Sequence, residues 1–169
     1  MKKTVFTVLA ASLLQLALVS SAFATNTLTI GQQLVKGQSL SSTDGRFSLA
    51  MQMDGNLVQY YGSNILWASG TNGAQRYWYD PYWGTYNAIY PYKLVLASDG
   101  YLGILDSSRG TEFWHADTQS WINNNYRIPM IFPTYGDTLF VQDDGNVVLY
   151  DTHSNSSWLA VWATDTGGR

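Results

Sequence analysis

The sequence predicts an all-β domain, and three observations carry that prediction. One phrase is written three times at 45-residue intervals: MQMDGNLVQY at 51–60, LASDGYLGIL at 96–105 and VQDDGNVVLY at 141–150. A fixed period with one worn copy indicates three supersecondary units around a shared core. No apolar 3.6-residue period of helical length follows residue 25; short β-prone runs recur between clusters of Gly, Asn, Asp and Ser. Aromatic residues make up 15% of the chain and charged ones only 12%, a balance that suits an extracellular β protein better than a helical one.

The N-terminus reads as a leader. Lys2 and Lys3 precede an apolar stretch from Val5 to Val19, and Ala22-Phe23-Ala24 supplies a small-x-small cleavage pattern. Residues 1–24 are therefore expected to be a signal peptide, with a mature chain from Thr25 that is secreted, periplasmic or attached to the cell surface. The apolar run is short for a membrane span and lacks a basic stop-transfer flank, so no stable span is expected after cleavage. The chain has no cysteine, which excludes a lipidated N-terminal Cys and any disulfide. A net charge of −3 with no basic face argues against a nucleic-acid partner.

Residues 25–169 form one expected domain, with units at 28–73, 94–118 and 137–166. The strands read in order as Leu28–Ile30, Phe47–Gln52, Asn56–Tyr60, Leu94–Ala97, Leu102–Leu105, Leu139–Gln142 and Asn146–Tyr150. Each phrase is followed by a tryptophan in a related setting: LWASGT, FWHADT and VWATDT. Trp67, Trp114 and Trp162 are therefore expected to be core residues meeting near a pseudo-threefold axis. Two insertions, 74–93 and 119–136, show no clean alternation and are read as long loops. The first carries eight aromatic residues between Tyr77 and Tyr92. Cover for a sheet face or contact with another subunit, as in a homo-oligomer, ranks ahead of a sugar platform for this segment.

Within the phrase, Asp-Gly between apolar runs favours a hairpin over one straight strand. A three-residue loop Met53-Asp54-Gly55 would place Gly55 in the left-handed region. In either geometry Gln52, Asp54, Asn56, Val58 and Tyr60 gather on one patch, as do Gln142, Asp144, Asn146, Val148 and Tyr150. The middle copy keeps Asp99 and Gly100, but has Ala97, Tyr101, Gly103 and Leu105 where the others have Gln, Asn, Val and Tyr. That unit should fold without binding through its patch. The intact set offers a carboxylate, two carboxamides, a phenol and a small apolar group, with no nucleophile or cation. A neutral polyol with one C–H face, such as a hexose, fits this inventory. No metal or cofactor is implied.

The pattern Gln-x-Asp-x-Asn-x-Val-x-Tyr resembles the signature of the bulb-type mannose-binding lectins of monocots and their bacterial relatives. The resemblance covers residues 28–71 as a whole unit and extends, with the insertions, to about Thr166. It implies a β-prism II fold, three antiparallel four-stranded sheets about a threefold axis, and recognition of α-mannose or mannose-containing glycans. It further implies that Asp54 and Asn56 bind the axial 2-hydroxyl of mannose, Gln52 the 3-hydroxyl and Tyr60 the 4-hydroxyl. Val58 would make the apolar contact. Gln142, Asp144, Asn146, Val148 and Tyr150 would repeat these roles.

An enzyme is disfavoured. A glycosidase needs two carboxylates across one bond, whereas Asp54 and Asp144 belong to separate units. His115 and His153 have no evident catalytic partners nearby in sequence. A lectin-like bacteriocin and an adhesive or structural assembly protein remain the alternative readings.

Overall fold

Three leucines at six-residue intervals organise the fold from its start. In a computed structural model, which describes residues 25–126, 135–153 and 157–168, each is the middle residue of a three-residue strand. These are β1 (Thr27–Thr29), β2 (Gln33–Val35) and β3 (Ser39–Ser41), and Leu28, Leu34 and Leu40 are all buried. Between them the ribbon turns at Gly31-Gln32 and again at Gly37-Gln38. The glycines have φ of 82° and 85°, a region that a Cβ disfavours. The Gln32 and Gln38 side chains then accept the Thr29 and Val35 amides. Two matching turns pass the ribbon from sheet to sheet.

Strand β3 opens the first sheet and is followed by β4 (Phe47–Met51), β5 (Leu57–Tyr61) and β6 (Asn64–Ala68). A separate two-stranded hairpin comes next, β7 (Arg76–Asp80) and β8 (Thr85–Ile89). The second sheet orders β9 (Lys93–Leu96), β10 (Leu102–Leu105) and β11 (Glu112–His115), with β2 on the edge beside β9. After a helix, α1 (Thr118–Asn125), the third sheet is built from β12 (Thr138–Val141), β13 (Val147–Asp151) and β14 (Leu159–Ala163), with β1 beside β12. All pairings are antiparallel. Each four-stranded sheet thus takes its first strand from residues 27–41, so the sheets do not coincide with three consecutive stretches of chain.

Alternation along the central strands sorts two faces. Leu57 and Gln59, Leu102 and Ile104, and Val147 and Leu149 point inward and are buried. Opposite Gln59, Ile104 and Leu149 stand Trp67, Trp114 and Trp162 on the last strand of each sheet. The three indoles form a triangle with ring centroids 5.5, 5.8 and 5.7 Å apart, each pair edge to face. Trp162 lies in the core, and Trp67 and Trp114 pack against it. Edge-to-face pairs add about 0.5–1.5 kcal/mol each beyond the area they bury.

Both insertions depart from the expected loops. Residues 76–89 form the β7–β8 hairpin, with Tyr79 opposite Tyr86 and Tyr77 opposite Ala88. Its period-2 pattern is concealed in sequence because aromatic residues occupy both faces. The inner face is pinned to the second sheet: the Arg109 guanidinium lies 3.1 Å over the Trp78 ring, and Arg76 donates to the Glu112 carbonyl. Tyr77, Tyr79 and Tyr86 stay exposed on the outer face. The second insertion begins with α1, where the Asp117 carboxylate caps the Ser120 amide. Ile122 alone of its residues is buried, too little to show a helical period in sequence. Residues 127–134 of this insertion lie outside the described residues, as does the expected leader at 1–24. Among the described residues no helix is long and apolar enough to cross a membrane.

Candidate functional site

The repeated phrase forms the hairpin between the second and third strands of each sheet. In the first unit the Gln52 amide donates to the Asn56 carbonyl and the Gly55 amide to the Gln52 carbonyl, closing the loop over Met53-Asp54-Gly55. Gly55, Gly100 and Gly145 have φ of 91°, 82° and 87°, as a left-handed turn requires. In all three units the aspartate braces this turn. One carboxylate oxygen of Asp54, Asp99 and Asp144 accepts the amide N–H of Asn56, Tyr101 and Asn146 respectively. The aspartate's recurrence in the worn copy therefore has a structural cause, and in all three units this residue is exposed.

The other polar members are held by one another. Gln52 Nε2 donates to the Tyr60 hydroxyl at 2.5 Å, and Gln142 Nε2 to that of Tyr150 at 2.9 Å. This orients each phenol O–H outward as a donor and leaves each Gln Oε1 as an acceptor. Asn56 Oδ1 accepts from the Ser69 hydroxyl at 3.0 Å and the Thr71 amide at 3.1 Å. Asn146 Oδ1 accepts from the Thr164 hydroxyl at 3.2 Å and the Thr166 amide at 3.3 Å. The asparagines consequently face a ligand with their amide N–H groups only, a narrower role than their inventory in sequence suggests. Thr71 and Thr166 also donate to the carbonyls of Gly55 and Gly145, locking the strand after the tryptophan to the turn.

Val58 and Val148 lie on the outer face beneath these groups but are 1% and 3% exposed, so they floor the patch and offer a ligand little apolar area. The middle unit is filled from within. The Tyr101 ring lies over Gly103, so a Cβ built there would be 2.2 Å from the Tyr101 hydroxyl oxygen and 2.3 Å from Cζ. Its hydroxyl donates to Glu112 Oε2 at 2.8 Å, and burial together with this bond pushes the phenol pKa up. His115 Nδ1 lies 2.7 Å from the other Glu112 oxygen; these two contacts, His115 foremost, hold the Glu112 carboxyl below its ordinary range. Ala97 and Leu105 offer no hydrogen bond here, and Thr118, the counterpart of Thr71, starts helix α1.

Sequence reasoning missed several residues around the patches. Gln59 is fully buried and reaches the third unit, donating to the Gly145 carbonyl at 2.8 Å. Its position in the pattern is that of Ile104 and Leu149, so it reads as an ordinary core position. His153, which looks solitary in sequence, meets Asp137 at 2.8 Å. Asp137, Asp151 and His153 come within 4.8 Å of one another, but Asp137 also accepts from Thr138 and Thr152, so the group braces the start of β12 against the end of β13.

No family model matches the chain. It is 30% identical over 140 residues to the B-type lectin plumieribetin of Scorpaena plumieri, an alignment spanning 83% of this chain and 95% of that one. The chain belongs to the bulb-type lectin family. Among solved structures, a monomeric monocot mannose-binding lectin from Gastrodia elata is 30% identical with a TM-score of 0.56, covering 85% of this chain and 99% of that one. The mannose-specific agglutinin of snowdrop, Galanthus nivalis, solved with methyl α-D-mannoside, is 25% identical with a TM-score of 0.52, covering 79% and 94%. The all-β fold of antiparallel sheets is thus that of a bulb-type lectin, a non-enzymatic protein that binds carbohydrate.

Proposed function

We propose that the protein is an exported, non-catalytic lectin that binds α-mannose and mannose-containing glycans at two sites. These are Gln52, Asp54, Asn56, Val58 and Tyr60 in the first unit, and Gln142, Asp144, Asn146, Val148 and Tyr150 in the third. The carrying observation is that both patches fix the same four polar side chains by the same internal bonds and leave the same donors and acceptors outward. Preorganised groups of this kind read hydroxyl positions, because an inverted hydroxyl leaves a partner unpaired. The mannose-binding relatives support that choice of sugar. The middle unit does not bind in this way, its patch being occupied by Tyr101.

The test is titration with methyl α-mannoside against its 2-epimer, the glucoside, read by NMR. Because Asp54 and Asp144 also brace turns, the site variants are better made at Gln and Tyr. Gln52→Ala with Tyr60→Phe is expected to remove one of two binding events, and Gln142→Ala with Tyr150→Phe the other. A combined quadruple variant that stays folded and still binds the mannoside would sink the assignment. N-terminal sequencing of exported protein checks cleavage before Thr25.

A further inference from the structure

The two proposed sites do not have the same surroundings. On the outer face of the third sheet, Phe140 on β12 stands directly opposite Val148, so it shares a face with Val148 and Tyr150. Its counterpart in the first sheet, opposite Val58, is Ala50. Trp158, just before β14, lies against Phe140 with ring centroids 5.1 Å apart and planes 30° from parallel. It also contacts Tyr150, a member of the site, at 5.8 Å, and Phe140 reaches Tyr150 at 5.9 Å. Trp158 is 58% exposed. In the first unit the residue just before the last strand is Ser63, and the cross-strand neighbour of Tyr60 is Ile65 where that of Tyr150 is Ala160.

The Trp158 indole, backed by the Phe140 ring, keeps more than half of its surface open to solvent beside Tyr150. Val148, like Val58, is buried and supplies little apolar contact, and the Trp158 indole beside Tyr150 adds such a surface to the third site. Resting on the reading of that site as mannose-binding, we propose that Trp158, supported by Phe140, forms a stacking subsite for a second sugar residue of an α-linked mannose oligosaccharide. The third unit then reads a disaccharide or longer chain, and the first reads a single terminal residue. Stacking suits this role because a pyranose presents a C–H face to the electron-rich face of the indole, while hydroxyl readout stays with Gln142, Asp144, Asn146 and Tyr150.

The experiment uses the full chain with the first site silenced by Gln52→Ala and Tyr60→Phe. Methyl α-mannoside and an α-linked mannotriose are titrated in turn. The trisaccharide is expected to bind at least about fivefold more tightly than the monosaccharide. Trp158→Ala should abolish that advantage while leaving the monosaccharide within about twofold, and Trp158→Phe should keep part of it. An unchanged trisaccharide preference in Trp158→Ala, or equal weakening of both ligands, overturns the subsite. Loss of the monosaccharide in the Trp158-intact protein overturns the mannose reading itself, and the subsite with it. Should Trp158→Ala not fold, the emission difference between the Trp158-intact protein and Trp158→Phe decides. It should shift to the blue with mannotriose and not with methyl α-mannoside; a difference that ignores both sugars refutes the proposal.

Discussion

Gly103→Val is the substitution that the other two units recommend, since valine stands at that position in both. Made alone, it is expected to destabilise the protein. The new Cβ would lie 2.2–2.5 Å from the hydroxyl oxygen, Cζ and Cε1 of Tyr101, far inside any real contact. The ring must swing out, because the Cβ is fixed by a strand held on both sides by β9 and β11. Tyr101 then loses its hydrogen bond to Glu112, worth about 1 kcal/mol where the acceptor is half exposed. Repacking around an oversized side chain costs about 1–3 kcal/mol more. Replacing a strand glycine returns about 0.5–1 kcal/mol. The net is a loss of about 2 kcal/mol, or about 4–8 °C in Tm for a domain of this size.

In a Tyr101→Asn background the obstacle is gone, and the same Gly103→Val change should be neutral or slightly stabilising. Denaturant unfolding of the four proteins forms a double-mutant cycle, with an expected coupling of about 2 kcal/mol. Equal costs in the two backgrounds would refute the account, for they would mean that Tyr101 does not fill the place of the missing valine. The cycle also bears on how the patch was emptied. A large side chain at the asparagine position is accommodated only if the valine position carries no side chain, so these two replacements make one structural change.

Asp99→Ala and Asp54→Ala should each cost about 0.5–1.5 kcal/mol in thermal melts, since both aspartates brace a turn, whereas only Asp54→Ala should weaken mannoside binding. Gln59→Leu, at a fully buried position, removes the donor to the Gly145 carbonyl and the Oε1 that lies 3.1 Å from the Thr166 hydroxyl oxygen; a loss of about 1–2 kcal/mol is expected in urea unfolding, with the third site weakened more than the first. Asp106 and Asp137 are both lowered from 3.8: burial works against them, and bonds from Ser108, Arg109 and Thr111, and from Thr138, Thr152 and His153, more than compensate. Carboxylates depressed in the folded state add stability that is fully present above about pH 4 and is lost as pH falls through their folded values. Urea midpoints should therefore drop below pH 4, and Asp106→Asn should flatten that dependence.

How far the structure is legible in the sequence follows from which partner each residue meets. The Asp-Gly turns are local, so Gly55 and Gly145 can be read as left-handed from their neighbours alone, and the φ angles agree. Trp67, Trp114 and Trp162 are legible because a repeat turns one residue into three equivalent ones, and three equivalent indoles can meet only near the axis of the units. What escapes is whatever depends on a partner without a repeat. Leu28, Leu34 and Leu40 have their own six-residue rhythm, but nothing near them says that β1 pairs with β12, over 100 residues away. The hairpin at 76–89 escapes for another reason: its inner aromatic Trp78 is matched by Arg109, a cation from the loop between β10 and β11, so the usual contrast between apolar and polar faces is missing. The same logic divides the candidate sites. The side chains proposed to read hydroxyls lie along one strand and its turn and can be listed from the phrase. Ser69 and Thr71, which hold Asn56, and Phe140 and Trp158, which lie against Tyr150, reach them across strands. A repeat therefore announces that there are sites, and the cross-strand neighbours that differ between its copies make those sites unequal.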